Sequence, residues 1–241
     1  MRANSPVVVV LGLILSGVLS FAHAIEPPEP GLQPTDLPAV SGTEWQPVKS
    51  NARLGISTWS RREDDKTWRS FKVEARLKSS MQQLEQVLFD FDNYNRWYWQ
   101  VMDSRLLKTV SPTEFYLYLV HNAPLQLPDR DVILRVRIEP MTVNQSYARV
   151  RFSAVPDYLP TKPPLVRMVA EDFTMLLVPD GDDILLKAEG VIDPGGSEPV
   201  WAANYVQRSA PYTIAANLSR VSRQADATAA LRSPYRLSQL P

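Results

Sequence analysis

The chain has 241 residues, with 26 basic and 26 acidic side chains and no cysteine. The missing thiols exclude disulfides, thiolate nucleophiles, cysteine-ligated metals and a lipid-modified cysteine. The even charge balance argues against nucleic acid as the main partner and leaves room only for local charged patches.

The first 24 residues have the layout of a secretory signal peptide. Met1 and Arg2 supply a short basic start, Val7 to Phe21 an apolar run, and Ala22-His23-Ala24 an A-x-A cleavage site. The run is about 15 residues long, short of the roughly 20 that span a bilayer as a helix. Cleavage between Ala24 and Ile25 is therefore expected, with export to a bacterial periplasm. The mature chain then carries 25 basic and 26 acidic residues and is long enough for one domain of ordinary size.

Residues 25–49 read as a Pro-rich linker or arm, since "IEPPEPGLQPTDLPAVSGTEWQP" holds six prolines and little periodicity. Next, "GISTWSRRE" and "WRSFKVEARL" flank the polar "DDK" as a hairpin. Ser79-Ser80 is placed to cap a helix whose Met81, Leu84, Leu88 and Phe91 recur at spacings of three and four. Strands are expected near 101–110, 114–121, 131–139, 147–155, 168–178 and 184–193, with Pro179 to Asp183 turning between the last two.

A final helix follows "DPGGSEP". Gly195-Gly196 permits a tight turn, Ser197 can cap, and Pro199 suits the first helical turn. Trp201 and Tyr205 share a face, and Ile214, Leu218, Val221 and Ala225 continue a stripe beyond Pro211, which should kink or interrupt the element. Residues 226–241 hold few large apolar side chains and are expected to fray. The economical α+β architecture is a curved antiparallel sheet with a long C-terminal amphipathic helix.

Catalytic and metal chemistry find little in the sequence. His121 is the one histidine left after cleavage, too few for a zinc site. It could head a Ser-His-Asp triad only formally, because no G-x-S-x-G elbow occurs. "DGDD" lacks the alternating oxygen ligands of a calcium loop. No phosphate-binding glycine pattern is present, and Asp90 and Asp92 read as solvated or capping residues at a helix end. The expectation is no catalytic residue, no metal and no cofactor.

The strand "DRDVILRVR", residues 129–137, is oily on one face and cationic on the other. Pairing it with 147–154 sets Leu134 opposite Phe152 and Val136 opposite Val150, with Arg135 against Arg151 and Arg137 against Arg149. Like charges directly opposite one another destabilise a sheet, so this face must be wet or meet acids such as Glu139 and Glu189. It is either a solvated face or a patch for anionic headgroups or a partner.

Three stretches, "RWYWQVMDSRLLKTV", "TEFYLYLVHNAPLQLPDRDVILRV" and "DFTMLLVPDGDDILLKAEGVIDPGGSEPVWAAN", resemble a START domain, the steroidogenic-acute-regulatory-related lipid-transfer family of the helix-grip superfamily. The specific parts are Pro128-Asp129-Arg130-Asp131 entering a strand, Asp193-Pro194-Gly195-Gly196, and Pro199-Val200-Trp201 opening the last helix. The resemblance covers residues 50–225. It implies a curved antiparallel sheet gripping the C-terminal helix around an apolar tunnel that holds one lipid, with transient membrane contact and no chemistry. On this mapping Leu117, Leu119, Val132, Leu134, Val136, Val150 and Phe152 face the tunnel from the sheet, and Trp201, Tyr205 and Leu218 from the helix. The loop "VPDYLPTKPPL" falls where the family has a gate, and Arg130 pins the loop before its strand. Sterol-carrying members place a buried acid and arginine where Leu119 and Val136 stand, so a sterol hydroxyl would need another partner here. Two rivals are a polyketide cyclase-like enzyme of the same superfamily, which needs polar groups converging in the cavity, and an interaction module using Arg135, Arg137, Arg149 and Arg151.

Overall fold

Strand alternation sorts the residues onto two faces of one sheet. The computed structural model describes residues 44–63, 69–124, 127–196, 200–227 and 233–239, all within the compact unit Thr35–Pro241. The signal peptide, the arm up to residue 43, the "DDK" turn, Ser197 and Pro199 lie outside the described residues. The strands are β1 (Gln46–Asn51), β2 (Ile56–Arg62), β3 (Arg69–Leu77), β4 (Val101–Ser111), β5 (Glu114–His121), β6 (Arg130–Glu139), β7 (Ala148–Ala154), β8 (Val166–Arg167), β9 (Ala170–Asp180) and β10 (Asp183–Asp193). They form a single sheet in the order β1-β2-β3-β10-β9-β7-β6-β5-β4, antiparallel throughout except that short β8 pairs in parallel with β6. Register shifts interrupt β1 between Pro47 and Lys49, and β4 between Val101 and Asp103, Leu106 and Lys108, and Thr109 and Ser111.

The helices follow from their caps and apolar stripes. In α1 (Met81–Leu88) the Ser80 hydroxyl accepts the Gln83 N–H at 3.2 Å, and the Gln83 side-chain oxygen accepts the Ser80 N–H at 2.9 Å. This reciprocal box satisfies two donors that the first turn would otherwise leave unpaired. A 3-10 segment, Phe91–Arg96, leads into β4. The long helix α2 (Val200–Ser222) continues through Pro211, so of the expected kink or interruption the interruption does not occur. It lies across β2 and β3, and one continuous core joins the sheet face, α1, the 3-10 segment and α2. The fold is the helix-grip α+β arrangement that the resemblance implied.

Three expectations need correction. Gln46–Asn51, assigned largely to the arm, is a strand paired with β2. The tail beyond residue 226 docks over the residues described: Tyr235 and Leu237 are fully buried, and Leu237 N–H donates to the Glu85 carboxylate at 2.6 Å. The β6–β7 register is displaced by two residues, with Leu134 opposite Ala154, Val136 opposite Phe152, Arg137 opposite Arg151 and Glu139 opposite Arg149. A shift of two preserves which side chains face inward, so the face assignment stands while the partners change.

The cationic face is stitched with acids. Glu114 accepts from Arg135 at 2.8 Å, and Glu139 sits between Arg149 at 2.5 Å and Arg151 at 3.1 Å. Glu139 thus offsets the Arg137–Arg151 juxtaposition at the ladder.

Gly190 on β10 stands between Phe71 and Phe173 on its neighbouring strands. A Cβ there would lie 2.2 Å from the Asp172 carbonyl oxygen and 2.3 Å from the Phe173 Cβ. Both atoms are fixed by the β9 backbone, so no change of side-chain rotamer relieves the contact. Gly190→Ala is expected to destabilise the protein by about 1–3 kcal/mol through overpacking. Urea unfolding measures it, and an unchanged midpoint would show that the strand yields freely.

Candidate functional site

Two apolar cavities lie between the sheet and α2. The first, about 80 Å³, is lined by Tyr98 and Trp99, the β5–β6 connection (Asn122 to Pro124), His121, Arg130, Met168, Glu171 and Ile192, and from α2 by Ala202, Val206, Gln207, Ala210 and Ile214. The second, about 50 Å³, is walled by Phe71, Val73, Trp97, Phe173, Met175, Leu186 and Ala188, and from α2 by Pro211, Ala215 and Leu218. Both are bounded by Tyr98, Ile192, Ala210 and Ile214. These four side chains are the partition between them, so one apolar tract runs along α2 and is pinched in the middle.

The helix presents mostly small and aliphatic residues to this tract. Ala202, Val206, Ala210 and Ile214 recur every four residues, which keeps them on one face. Tyr205, expected to face the tunnel, lies one position off that stripe and is 50 % exposed, with its ring 6.2 Å from Trp99 at the rim. The Trp201 side chain lies outside what the structure describes. Leu218 lines the second cavity. Leu117, Leu119, Val132, Leu134, Val136, Val150 and Phe152 all join the inward-facing core but line neither cavity. The core they join also holds the aromatic cluster of Phe89, Phe91, Phe115 and Tyr235, which fills space that a tunnel would need.

The first cavity carries polar groups that sequence reasoning missed. The Tyr98 hydroxyl donates to Glu171 Oε1, and the His121 Nδ1 lies 3.1 Å from the Trp99 carbonyl oxygen. His121 Nε2 and Glu171 Oε2 are 3.7 Å apart, and among the described residues neither has a hydrogen-bond partner. Glu171 is only 1 % exposed. Burial and the adjacent Glu171 hold the Tyr98 phenol well above its usual range, so Tyr98 remains a donor. Arg130, buried at the start of β6, donates to the Pro128 carbonyl and so ties down the loop before its strand; burial pulls its guanidinium below the ordinary value while Asp129 opposes the shift. The signal for these residues was phase: His121 shares a face with Leu117 and Leu119, Arg130 with Val132 and Leu134, and Glu171 with Phe173 and Met175. A polar residue in step with an apolar face points inward.

The loop Val155–Leu165, expected to gate the tunnel, sits on the opposite face. Val155, Leu159 and Leu165 pack against Tyr118, Val120 and Ile133, a separate apolar cluster, and Tyr158 stacks on Tyr116 at 4.3 Å. The segment beside the cavity mouth is instead the β5–β6 connection.

Among solved structures, the STAR-related lipid transfer protein from Xanthomonas axonopodis is 32 % identical over 73 % of this chain and 98 % of its own, with a TM-score of 0.65. The chain belongs to the STAR-related lipid transfer (START) family. Human STARD10 matches at 24 % identity and a TM-score of 0.62, over 74 % of this chain and 72 % of its own. Human StAR-related lipid transfer protein 5 matches at 14 % and 0.66, over 75 % and 86 %. These two share the fold with this START protein. A scan against protein-family models and a search of curated proteins return no match.

Proposed function

We propose that this START protein is an exported lipid carrier that holds one apolar lipid between the sheet and α2 and does no chemistry on it. The observation that carries this reading is the pinched apolar tract, walled on one side by mostly small and aliphatic residues of α2. Ligand pockets generally enclose about 300–1,000 Å³, so loading requires the tract to widen at its partition. Each methylene buried contributes roughly 0.8 kcal/mol, and a dozen together offset association costs of about 4–15 kcal/mol. Export rests on the signal-like residues 1–24; protein recovered from its host should have the mass of a chain beginning at Ile25.

Fluorescent-lipid transfer between vesicles, with native mass spectrometry of the purified protein, tests the carrier reading. About one lipid per chain is expected. Val206→Phe, a half-buried wall residue of the first cavity, should cut transfer roughly tenfold or more, about 1.4 kcal/mol or more of lost binding, without lowering the melting temperature. The same kind of enlargement at fully buried Leu134 should instead cost about 1–3 kcal/mol of stability. A protein that takes up no lipid from a broad panel overturns the proposal.

The convergence of Tyr98, Glu171 and His121 favours a second reading, acid–base chemistry on a bound ligand as in a cyclase. Ligand recovered chemically unchanged after prolonged incubation with the protein would exclude it.

A further inference from the structure

The unpaired groups in the first cavity specify more than an oily ligand. The Trp99 carbonyl can only accept, so His121 Nδ1 carries a hydrogen and Nε2 of the neutral ring is an acceptor. Nε2 faces Glu171 Oε2 across 3.7 Å, an ion-pair distance when the ring is protonated but too far for a hydrogen bond. Glu171 Oε1 is already occupied by Tyr98, so Oε2 is the one oxygen left open. Buried polar atoms of this kind are nearly always satisfied in folded proteins, and these two belong to residues that line an apolar cavity.

We propose, resting on the carrier reading, that His121 and Glu171 are the polar end of the lipid site and select a neutral lipid bearing a hydroxyl. A hydroxyl donates to Glu171 Oε2, and its oxygen can accept from Nε2 whenever the imidazole is protonated. With the protonated ring one group thereby serves both atoms; with the neutral ring its single hydrogen serves Glu171 Oε2 alone. A phosphate has acceptors facing a buried carboxylate, and the Glu171 charge repels it. Arg130 lines the same cavity and keeps its charge while bonded to the neutral Pro128 carbonyl, so the phosphate probe decides which of Glu171 and Arg130 governs an anion. A hydrocarbon without a polar end leaves both atoms unsatisfied. Tyr98 acts as a positioning residue, because its bond to Oε1 fixes which oxygen faces the ligand.

The test is competition against a fluorescent lipid by three probes with one chain: hexadecan-1-ol, hexadecyl methyl ether and hexadecyl phosphate. The full-length mature protein should bind the alcohol at least about tenfold more tightly than the ether, the usual scale of one well-made buried hydrogen bond, with the phosphate weakest. In Glu171→Leu and His121→Leu the alcohol and ether should converge within about threefold while the ether still binds. Glu171→Gln keeps the shape without the charge, and the phosphate should gain in it relative to the alcohol. If the alcohol and ether compete equally in the unaltered protein, or the Leu variants keep the discrimination, the hydroxyl assignment falls and the carrier reading stands. If the phosphate binds most tightly, Arg130 makes this an anion-binding site and the assignment is wrong. If no probe binds at all, both readings fall together.

Discussion

Asp131→Ala should cost about 3–5 kcal/mol, the usual penalty for removing one partner of a buried ion pair. Asp131 is fully buried, and Arg167 meets it in a two-pronged contact, Nε to Oδ1 and Nη2 to Oδ2, both at 2.9 Å. The Tyr118 hydroxyl adds a third bond at 3.1 Å. Arg167 also donates to the carbonyls of Pro156, Leu159 and Pro160, so the same guanidinium fastens the 155–165 loop to the sheet. Without the carboxylate, a guanidinium only 7 % exposed at its side chain would be left uncompensated. Urea unfolding gives the loss, and limited proteolysis should show new cleavage between Val155 and Leu165. The double variant Asp131→Ala/Arg167→Met should recover part of the loss. Unaltered stability in the single variant would mean that the pair does not hold the loop.

The second large effect belongs to the C-terminal segment. Tyr235 is 2 % exposed, with its ring 4.8 Å from Phe115, 5.3 Å from Phe89 and 5.5 Å from Phe91, and its hydroxyl 2.6 Å from Thr109 Oγ1. Tyr235→Ala should cost about 3–5 kcal/mol, as aromatic truncations in a packed core do. Tyr235→Phe keeps the ring and loses one hydrogen bond, worth about 1 kcal/mol. Thermal unfolding of both variants separates packing from polarity. Equal, small effects would mean the segment is only loosely applied.

Most of the sheet was legible because β5, β6, β9 and β10 keep an apolar residue at nearly every second position, a period set by backbone geometry alone. β1 escaped because its residues are exposed or half-buried throughout and include Pro47, so no apolar phase marks it. The β6–β7 register was underdetermined for a related reason. A slip of two changes every partner and no face, and only the 140–147 connection could fix it. The tail was invisible because two anchors, Tyr235 and Leu237, are too few to form a pattern.

At the cavity, attention went to the large side chains. Tyr205 was chosen over Ala202, Val206 and Ala210, yet a helix that must leave room for a guest presents its small residues to it. In the sequence His121 stands out only as a lone histidine without metal or triad partners. Its inward phase became meaningful once Glu171 and Arg130 stood at the same end of the face. The resemblance supplied the fold and the idea of a tunnel; its gate assignment failed because the 155–165 loop is rich in apolar residues that cover Tyr118 and Ile133 outside.

A sheet that ends at β1 and β4 offers two rows of unpaired backbone groups, the usual template for one chain to polymerise onto another. Here both rows are broken. The three register shifts along β4 spoil its regular ladder, and Arg105 and Lys108 project from it exposed. On β1, the irregularity at Pro47 removes a donor and Lys49 adds an exposed charge. These irregularities therefore act against aggregation, so that an open sheet need not recruit its own copies.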